Sequence, residues 1–506
     1  MQALQSSFST LDWVIVAAYL LATIAIGIYT RQYIHDMAGY LVAGRSLKPL
    51  LGIATMVGSE LGLVTVMYSA QKGFTGGLAA IHIGLLAGLV TLLVGLTGFI
   101  VVPLRELGVM TIPEFYERRF SRGVRILGGL LLAVAGILNM GLFLKAGALF
   151  LTGLTGLSDP LAVKGVMTVL IVIVVFYTIL GGMVSVVLTD YIQFVVLSLG
   201  LLTACGLALY RLGWAEITET VATVHGEAGF NPLVEGAGFG PSYIVWMIFT
   251  AGIVSCAVWQ TAVMRACAAE STAAVKRIYV WSSVGFMVRF MIPQFLGVCA
   301  LAFLWKHPQA HSFFFDAAGR PIQETSLLAM PVFLSQILPA GLIGLIGAGM
   351  LAAFMSTHDS YLLCWASVLS EDVINPLSGG RMTMRGRLLM ARLLIVLIAV
   401  FLLIWSLWYE LGQDLWDYMA VTGAMYSVGA FALLLGGLYW KRASTVGAYL
   451  ALIAGSLALL GLKPVQGALG LAGEWSSESV GLTVIGLALG LMVIGSLLFP
   501  ERKDGP

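Results

Sequence analysis

Leu51-Gly52-Ile53-Ala54-Thr55-Met56-Val57-Gly58-Ser59-Glu60-Leu61-Gly62 sets three glycines and a carboxylate in the middle of an apolar run. Glycine weakens a helix by about 1 kcal/mol relative to alanine, and a weakened turn exposes carbonyl oxygens. A carboxylate at membrane depth is costly unless it has a partner or a task. The stretch therefore reads as an interrupted membrane helix. A comparable soft point lies around Thr250-Ala251-Gly252 and Ser255, ahead of Trp259-Gln260. Two interrupted spans, five apart in order, point to a transporter of inverted repeats with its site between the breaks. Glycines also serve close helix packing, so the surrounding sequence must carry part of the reading.

The surroundings are those of a membrane protein. Of the 506 residues 59% are apolar and 10% charged, and the mean hydropathy is +0.97, whereas about a quarter of the residues of a soluble domain are charged. Windows of about 20 apolar residues give about thirteen spans, roughly 9–30, 49–71, 77–104, 123–153, 160–181, 183–210, 240–266, 272–305, 339–370, 386–411, 413–438, 443–462 and 478–499. With the N-terminus outside, nineteen of the 27 basic residues fall on the cytoplasmic face. Six (Lys72, Lys164, Arg211, Lys306, Arg320 and Lys463) fall outside, and Lys145 and Arg289 lie within spans. That bias satisfies the positive-inside rule and puts the C-terminus in the cytoplasm of a multi-pass cell-membrane protein. The first apolar segment lacks a basic leader and a cleavage site and reads as a retained span. Five cysteines without metal-type spacing predict neither a structural disulfide nor a metal cluster. No nucleic-acid-binding segment and no obligatory protein partner is evident; lipid is the surrounding partner. The connections 211–239 and 306–338 are candidate lids or ordinary loops, the latter with an amphipathic run at Leu327–Ile337.

A third stretch, Ala353-Phe354-Met355-Ser356-Thr357-His358-Asp359-Ser360, puts hydroxyls and a carboxylate inside another apolar segment. On a helix Ser356, Thr357 and Ser360 share a face that Ala353 continues one turn earlier. Small hydroxyl residues admit a close helix neighbour and offer oxygen to a hard cation. They also pack helices by bonding to their own carbonyls, and both readings stand. The intramembrane charges are Glu60, Asp190, Asp359, Lys145 and Arg289, each expected to face the bundle interior. His82 and His358 read as hydrogen-bonded packing residues.

Tyr177-Thr178 followed by Gly181-Gly182 and Thr189-Asp190-Tyr191-Ile192-Gln193 resembles the signature of the sodium/solute symporter family, which includes sodium/proline, sodium/galactose and sodium/sialic acid transporters. Ala43-Gly44-Arg45-Ser46, Thr111-Ile112-Pro113-Glu114-Phe115 with Arg118-Arg119-Phe120, Arg265-Ala266-Cys267-Ala268-Ala269 and Ser356-Thr357-His358-Asp359-Ser360 match in the same order, so the likeness runs from about residue 10 to 440. The resemblance implies an all-α polytopic protein with a leucine-transporter-like core of five-plus-five inverted repeats. The first helix and loop would occupy 1–48, the repeats 49–210 and 240–438, and two peripheral helices and a tail 439–506. It implies a sodium site made by the carbonyls of Gly58, Leu61 and Ala353 and the hydroxyls of Ser356 and Thr357. A second sodium site would use Asp190, Ser356, Asp359 and Ser360, or Asp190 would tune the first.

The same resemblance places the solute near Ser59, Glu60, Trp259, Gln260 and Tyr426. A carboxylate beside an indole suits an ammonium group, hence an amino acid, a betaine or an organic amine. A monocarboxylate bound by a basic residue is an alternative. So is a sodium-independent or proton-coupled carrier in which Lys145 neutralises Glu60. A channel would need a continuous polar lining, and a membrane-embedded enzyme a nucleophile with its base. His358 and Asp359, adjacent on a helix, point about 100° apart and form no such pair.

Overall fold

The structure, a computed structural model, describes residues 6–30, 46–157, 159–236, 238–409, 413–471 and 475–501, without the side chains of 23, 24, 26–28, 30, 160, 177, 180–192 and 194. Among these residues the regular structure is helical, with two isolated bridges, Leu47 to Ala269 and Phe315 to Pro321. Among the described residues nine helical segments are long and apolar enough to cross a membrane, and Thr10–Ala22, Leu161–Phe176 and Thr445–Gly461 are shorter apolar helices.

After α1 (Thr10–Thr30) the second predicted span is two helices, α2 (Pro49–Glu60) and α3 (Leu63–Gly76). Leu61 (φ −88, ψ 57) and Gly62 (φ −81, ψ 164) lie between them in non-helical conformation. Then follow α4 (His82–Thr97), the short α5 (Ile112–Arg119), α6 (Arg122–Asn139) and α7 (Phe143–Thr155). Thr111 caps α5 by accepting the Glu114 amide at 3.2 Å, and the Glu114 side chain accepts the amide of Met110, just before the cap, at 2.8 Å.

The pair of spans predicted over 160–181 and 183–210 is instead one helical stretch, α8 (Pro160–Leu212), 53 residues long. No proline follows its first turn, and glycine pairs such as Gly181-Gly182 weaken a helix without ending it. At about 1.5 Å per residue a stretch of this length exceeds the ~30 Å hydrocarbon layer.

The seventh span is a composite. α9 (Pro241–Met247) passes into a π-helical tract over Ile248–Val258; Trp259 is extended (φ −73, ψ 125), and α10 (Gln260–Ala268) follows. The remaining helices are α11 (Thr272–Trp305), α12 (Gln323–Ile337), α13 (Leu342–Val368), α14 (Met384–Trp408), α15 (Leu415–Tyr439), α16 (Thr445–Gly455) and α17 (Ser477–Leu498). α12 contains the run Leu327–Ile337 expected to be amphipathic, but every residue of it except Gln336 is buried, so it packs on all sides within the bundle.

Packing follows residue size. α3 and α11 meet backbone to backbone: a methyl on Gly73 would strike the Gln294 carbonyl, and one on Gly297 the Ala70 carbonyl. α13 is almost wholly buried and is the centre of the bundle. By contrast α4 exposes Leu85, Leu89, Leu93 and Leu96, and α14 exposes Leu389, Leu393, Leu397, Val400 and Ile404. Rows spaced three and four apart are helix faces, and uncharged leucine faces of this length belong against lipid.

Candidate functional site

Breaking α2 from α3 removes the amides that would have taken up the last carbonyls of α2. Each of three freed oxygens has another partner. Glu60 O accepts from the Thr65 hydroxyl at 2.8 Å and from Arg289 at 3.3 Å, while Gly58 O and Leu61 O both accept from Gln193 Nε2 at 3.2 Å. Gly62 lies directly on α13, where a methyl in its place would overlap Thr357 Oγ1. Thr357 in turn donates to Ala353 O at 2.8 Å. Gly58, Leu61, Ala353 and Thr357, residues on two helices far apart in sequence, are thus brought into one neighbourhood. Ser356 is buried on the same turn.

The second grouping is only partly described, because the side chain of Asp190 lies outside the described residues. Asp359 and Ser360 are buried on α13. Arg265, counted above with the cytoplasmic charges, is buried in the core. It donates from Nη2 to Ser360 Oγ at 3.4 Å, from Nη1 to Thr261 O at 2.8 Å and from Nε to Thr55 O at 3.2 Å.

Beside the two breaks is a small, partly open cavity, with Glu60, Asn139, Ser255, Trp259, Arg289 and Tyr361 among its lining. Glu60 and Arg289 form a buried ion pair, Nη1 to Oε2 at 2.7 Å. Arg289 also donates to Ser255 Oγ at 2.6 Å, and Thr261 donates to Glu60 Oε1 at 3.1 Å. One guanidinium therefore ties the first break to the π tract of the second. Phe286 and Phe290 lie 4.1 and 4.6 Å from it, so the rings stabilise the charge as well as excluding water. Trp259 donates from Nε1 to the Tyr361 hydroxyl at 2.9 Å, which fixes the indole on the cavity wall.

Closure on one side is aromatic and then ionic. Trp416 lies 4.8 Å from Tyr68 and 5.7 Å from Phe290 between ring centroids. Beyond them Lys72 pairs with Asp414 at 2.6 Å and Asp417 at 3.3 Å, and Gln323 of α12 also holds Asp414. Lys72, placed in an outer loop by the charge count, is thus a buried member of this closure. On the opposite side Asp372 accepts from Arg125 at 2.9 Å and Thr111 at 3.0 Å, and Arg387 pairs with Glu371 at 2.7 Å.

A family model for the sodium:solute symporter family matches residues 40–455. The chain belongs to that family. Relatives of this symporter include the sodium/glucose cotransporter of Vibrio parahaemolyticus, 24% identical over 90% of this chain and 85% of the relative. A sodium/proline symporter of Staphylococcus aureus (strain Newman) is 26% identical over 88% and 85%. A Na+-coupled sialic acid symporter superposes with TM-score 0.80 at 19% identity, covering 98% of this chain and 99% of the other. MhsT in complex with L-phenylalanine gives TM-score 0.54 at 16% identity over 89% and 98%. The symporter is therefore a multi-pass transporter of the leucine-transporter fold, sodium-coupled, and not an enzyme.

Three sequence expectations for this symporter change. Lys145 does not neutralise Glu60: its amine donates to Tyr409 O at 3.0 Å, and Arg289 takes the carboxylate. Gln260 points away from the cavity, accepting the Ile112 amide at 2.9 Å through Oε1 and so tying α10 to the start of α5. Tyr426 does likewise, its hydroxyl 2.9 Å from that of Tyr116. Ser59 is buried beside Glu60, its hydroxyl without a hydrogen-bond partner among the described residues. Asn139, Thr250, Ser255, Tyr361, Trp416 and Ser427 line the cavity without having been singled out. Thr250 and Ser255 had a signal, their place in the soft point before Trp259; the others read as ordinary core positions.

Proposed function

We propose that the symporter couples sodium entry to uptake of a small zwitterion, an amino acid or a betaine, at the Glu60–Arg289 pair. The observation that carries the reading is that pair itself. A cavity presenting both signs of charge beside an indole matches a solute bearing a carboxylate and an ammonium group. A simple organic amine would have to displace Arg289 from Glu60 with no carboxylate of its own to compensate the guanidinium. Arg289 Nε is buried without a partner among the described residues, a donor to spare for a carboxylate. The same donor supports a second reading, a monocarboxylate held by Arg289 alone.

Sodium would be held by the carbonyls of Gly58, Leu61 and Ala353 and the hydroxyls of Ser356 and Thr357. Carbonyls freed by a broken helix and a pair of hydroxyls replace an ion's hydration shell at mid-membrane. Sodium bound between α2 and α13 would fix the relation between the repeats 49–210 and 240–438 and so favour the solute-competent state. One charge crossing 100 mV contributes about 2.3 kcal/mol to uptake. The N-terminus outside and the C-terminus inside follow from the charge bias.

The test is a thermal-shift screen of purified protein against proline, glycine betaine, a primary amine and a monocarboxylate, each in sodium and in potassium. A zwitterion should stabilise in sodium alone. Stabilisation by the amine alone, or equal shifts in both salts, overturns the reading. Ser356→Ala with Thr357→Ala should abolish the sodium dependence.

A further inference from the structure

Gln193 brings a carboxamide to the carbonyls proposed to bind sodium. Its Nε2 lies 3.2 Å from both Gly58 O and Leu61 O, and the side chain is 1% exposed. An amide nitrogen carries two hydrogens, one for each carbonyl, and their partial positive charge meets two converging carbonyl dipoles. Its Oε1 is buried with no hydrogen-bond partner among the described residues. A glutamine built in only to brace helices would satisfy both ends, because an orphaned buried acceptor is costly. This one is secured by its donor end alone, at the two oxygens an ion would need. Sodium in contact with both would require the same lone pairs and the same space.

We propose that Gln193 is the placeholder of the sodium site: its carboxamide satisfies the carbonyls of the first helix break in the ion-free protein, and sodium binds by displacing it. The proposal rests on the sodium reading above. A group that stabilises only the ion-free state weakens sodium binding by the same factor. It also preserves the broken helix while the carrier returns empty, when bare carbonyls in an apolar interior would have no partner. Coupling benefits on both counts, since the ion must be present in excess to open the site and the empty carrier keeps its shape.

The experiment titrates full-length protein in vesicles with sodium at constant ionic strength, balanced with choline, reading thermal stability. In parallel it compares net uptake with exchange at saturating sodium on both sides. Gln193→Met keeps the length of the side chain and removes the donor; Gln193→Glu removes the donor and adds charge. Half-saturating sodium should fall at least threefold in Gln193→Met and at least tenfold in Gln193→Glu, with net uptake slowed relative to exchange. If Gln193→Glu does not fold, the methionine variant and the uptake-to-exchange ratio decide. Sodium binding in Gln193→Met that is within twofold of the unmodified protein, or weaker, overturns the placeholder. Thr357→Ala separates the two levels: loss of its sodium response leaves the site standing whatever Gln193 does, and an unchanged response overturns the sodium reading and the placeholder with it.

Discussion

The two interrupted helices open the same kind of gap with different chemistry. The first break is two residues long, Leu61 and Gly62, and lies against the hydroxyl ridge of α13. The second is spread over the eleven-residue π tract Ile248–Val258 and a single extended residue, Trp259. At the first, Gly58 O and Leu61 O meet a side-chain amide. At the second, the Trp259 amide still reaches Val254 O at 2.8 Å, and the Tyr279 hydroxyl caps Cys256 O at 2.8 Å. A narrow break thus frees backbone oxygen, which suits an ion. A π tract widens the turn and re-aims side chains, here Ser255 and Trp259, which suits an organic solute. Arg289 joins the two, bonding Glu60 on one side and Ser255 on the other.

That contrast can be broken first at its joint. Arg289→Ala leaves Glu60 buried without its cation and should cost about 3–5 kcal/mol, read as a lowered unfolding midpoint with loss of solute binding. Combining it with Glu60→Gln should recover most of the stability and none of the solute response; recovery of both would mean that the pair serves only the fold.

A smaller effect isolates the ion side. Gly62→Ala forces a methyl onto Thr357 and should destabilise by roughly 1–3 kcal/mol while weakening the sodium response more than the solute response measured at saturating sodium. Adding Thr357→Ala should relieve part of the stability loss without restoring the sodium response. The smallest change isolates the solute side. Trp259→Phe removes the bond to Tyr361 and should cost about 1 kcal/mol of solute affinity, leaving half-saturating sodium within about twofold. A shift of both affinities by equal factors would erase the distinction between the breaks.

Much of the neighbourhood proposed for the ion was legible because its signals are local. Glycines at 52, 58 and 62, the hydroxyl face of Ser356, Thr357 and Ser360, and Trp259 after a soft stretch all act within a turn or two of themselves. Glu60 and Arg289 were both recognisable as intramembrane charges, yet they are 229 residues apart. Choosing Arg289 over Lys145 as the partner requires knowing that α11, and not α7, crosses beside the break. Gln260 and Tyr426 lie outside the cavity lining for a related reason: Gln260 opens α10, no residue of which lines the cavity, and Tyr426 is on α15, which does line it, but rotation about that helix turns the ring toward Tyr116 of α5.

Composition and pattern alone therefore settled that this chain crosses a membrane many times through helices, two of them broken, with oxygen-bearing side chains at mid-depth. Burial in hydrocarbon imposes those features on any short stretch, whatever its neighbours. Which charges neutralise each other, which aromatic rings close over the cavity, and that an amide from α8 reaches the freed carbonyls were decided by helix crossings. Such pairings follow from distance in space, and a linear chain records distance only over the few residues that share a turn.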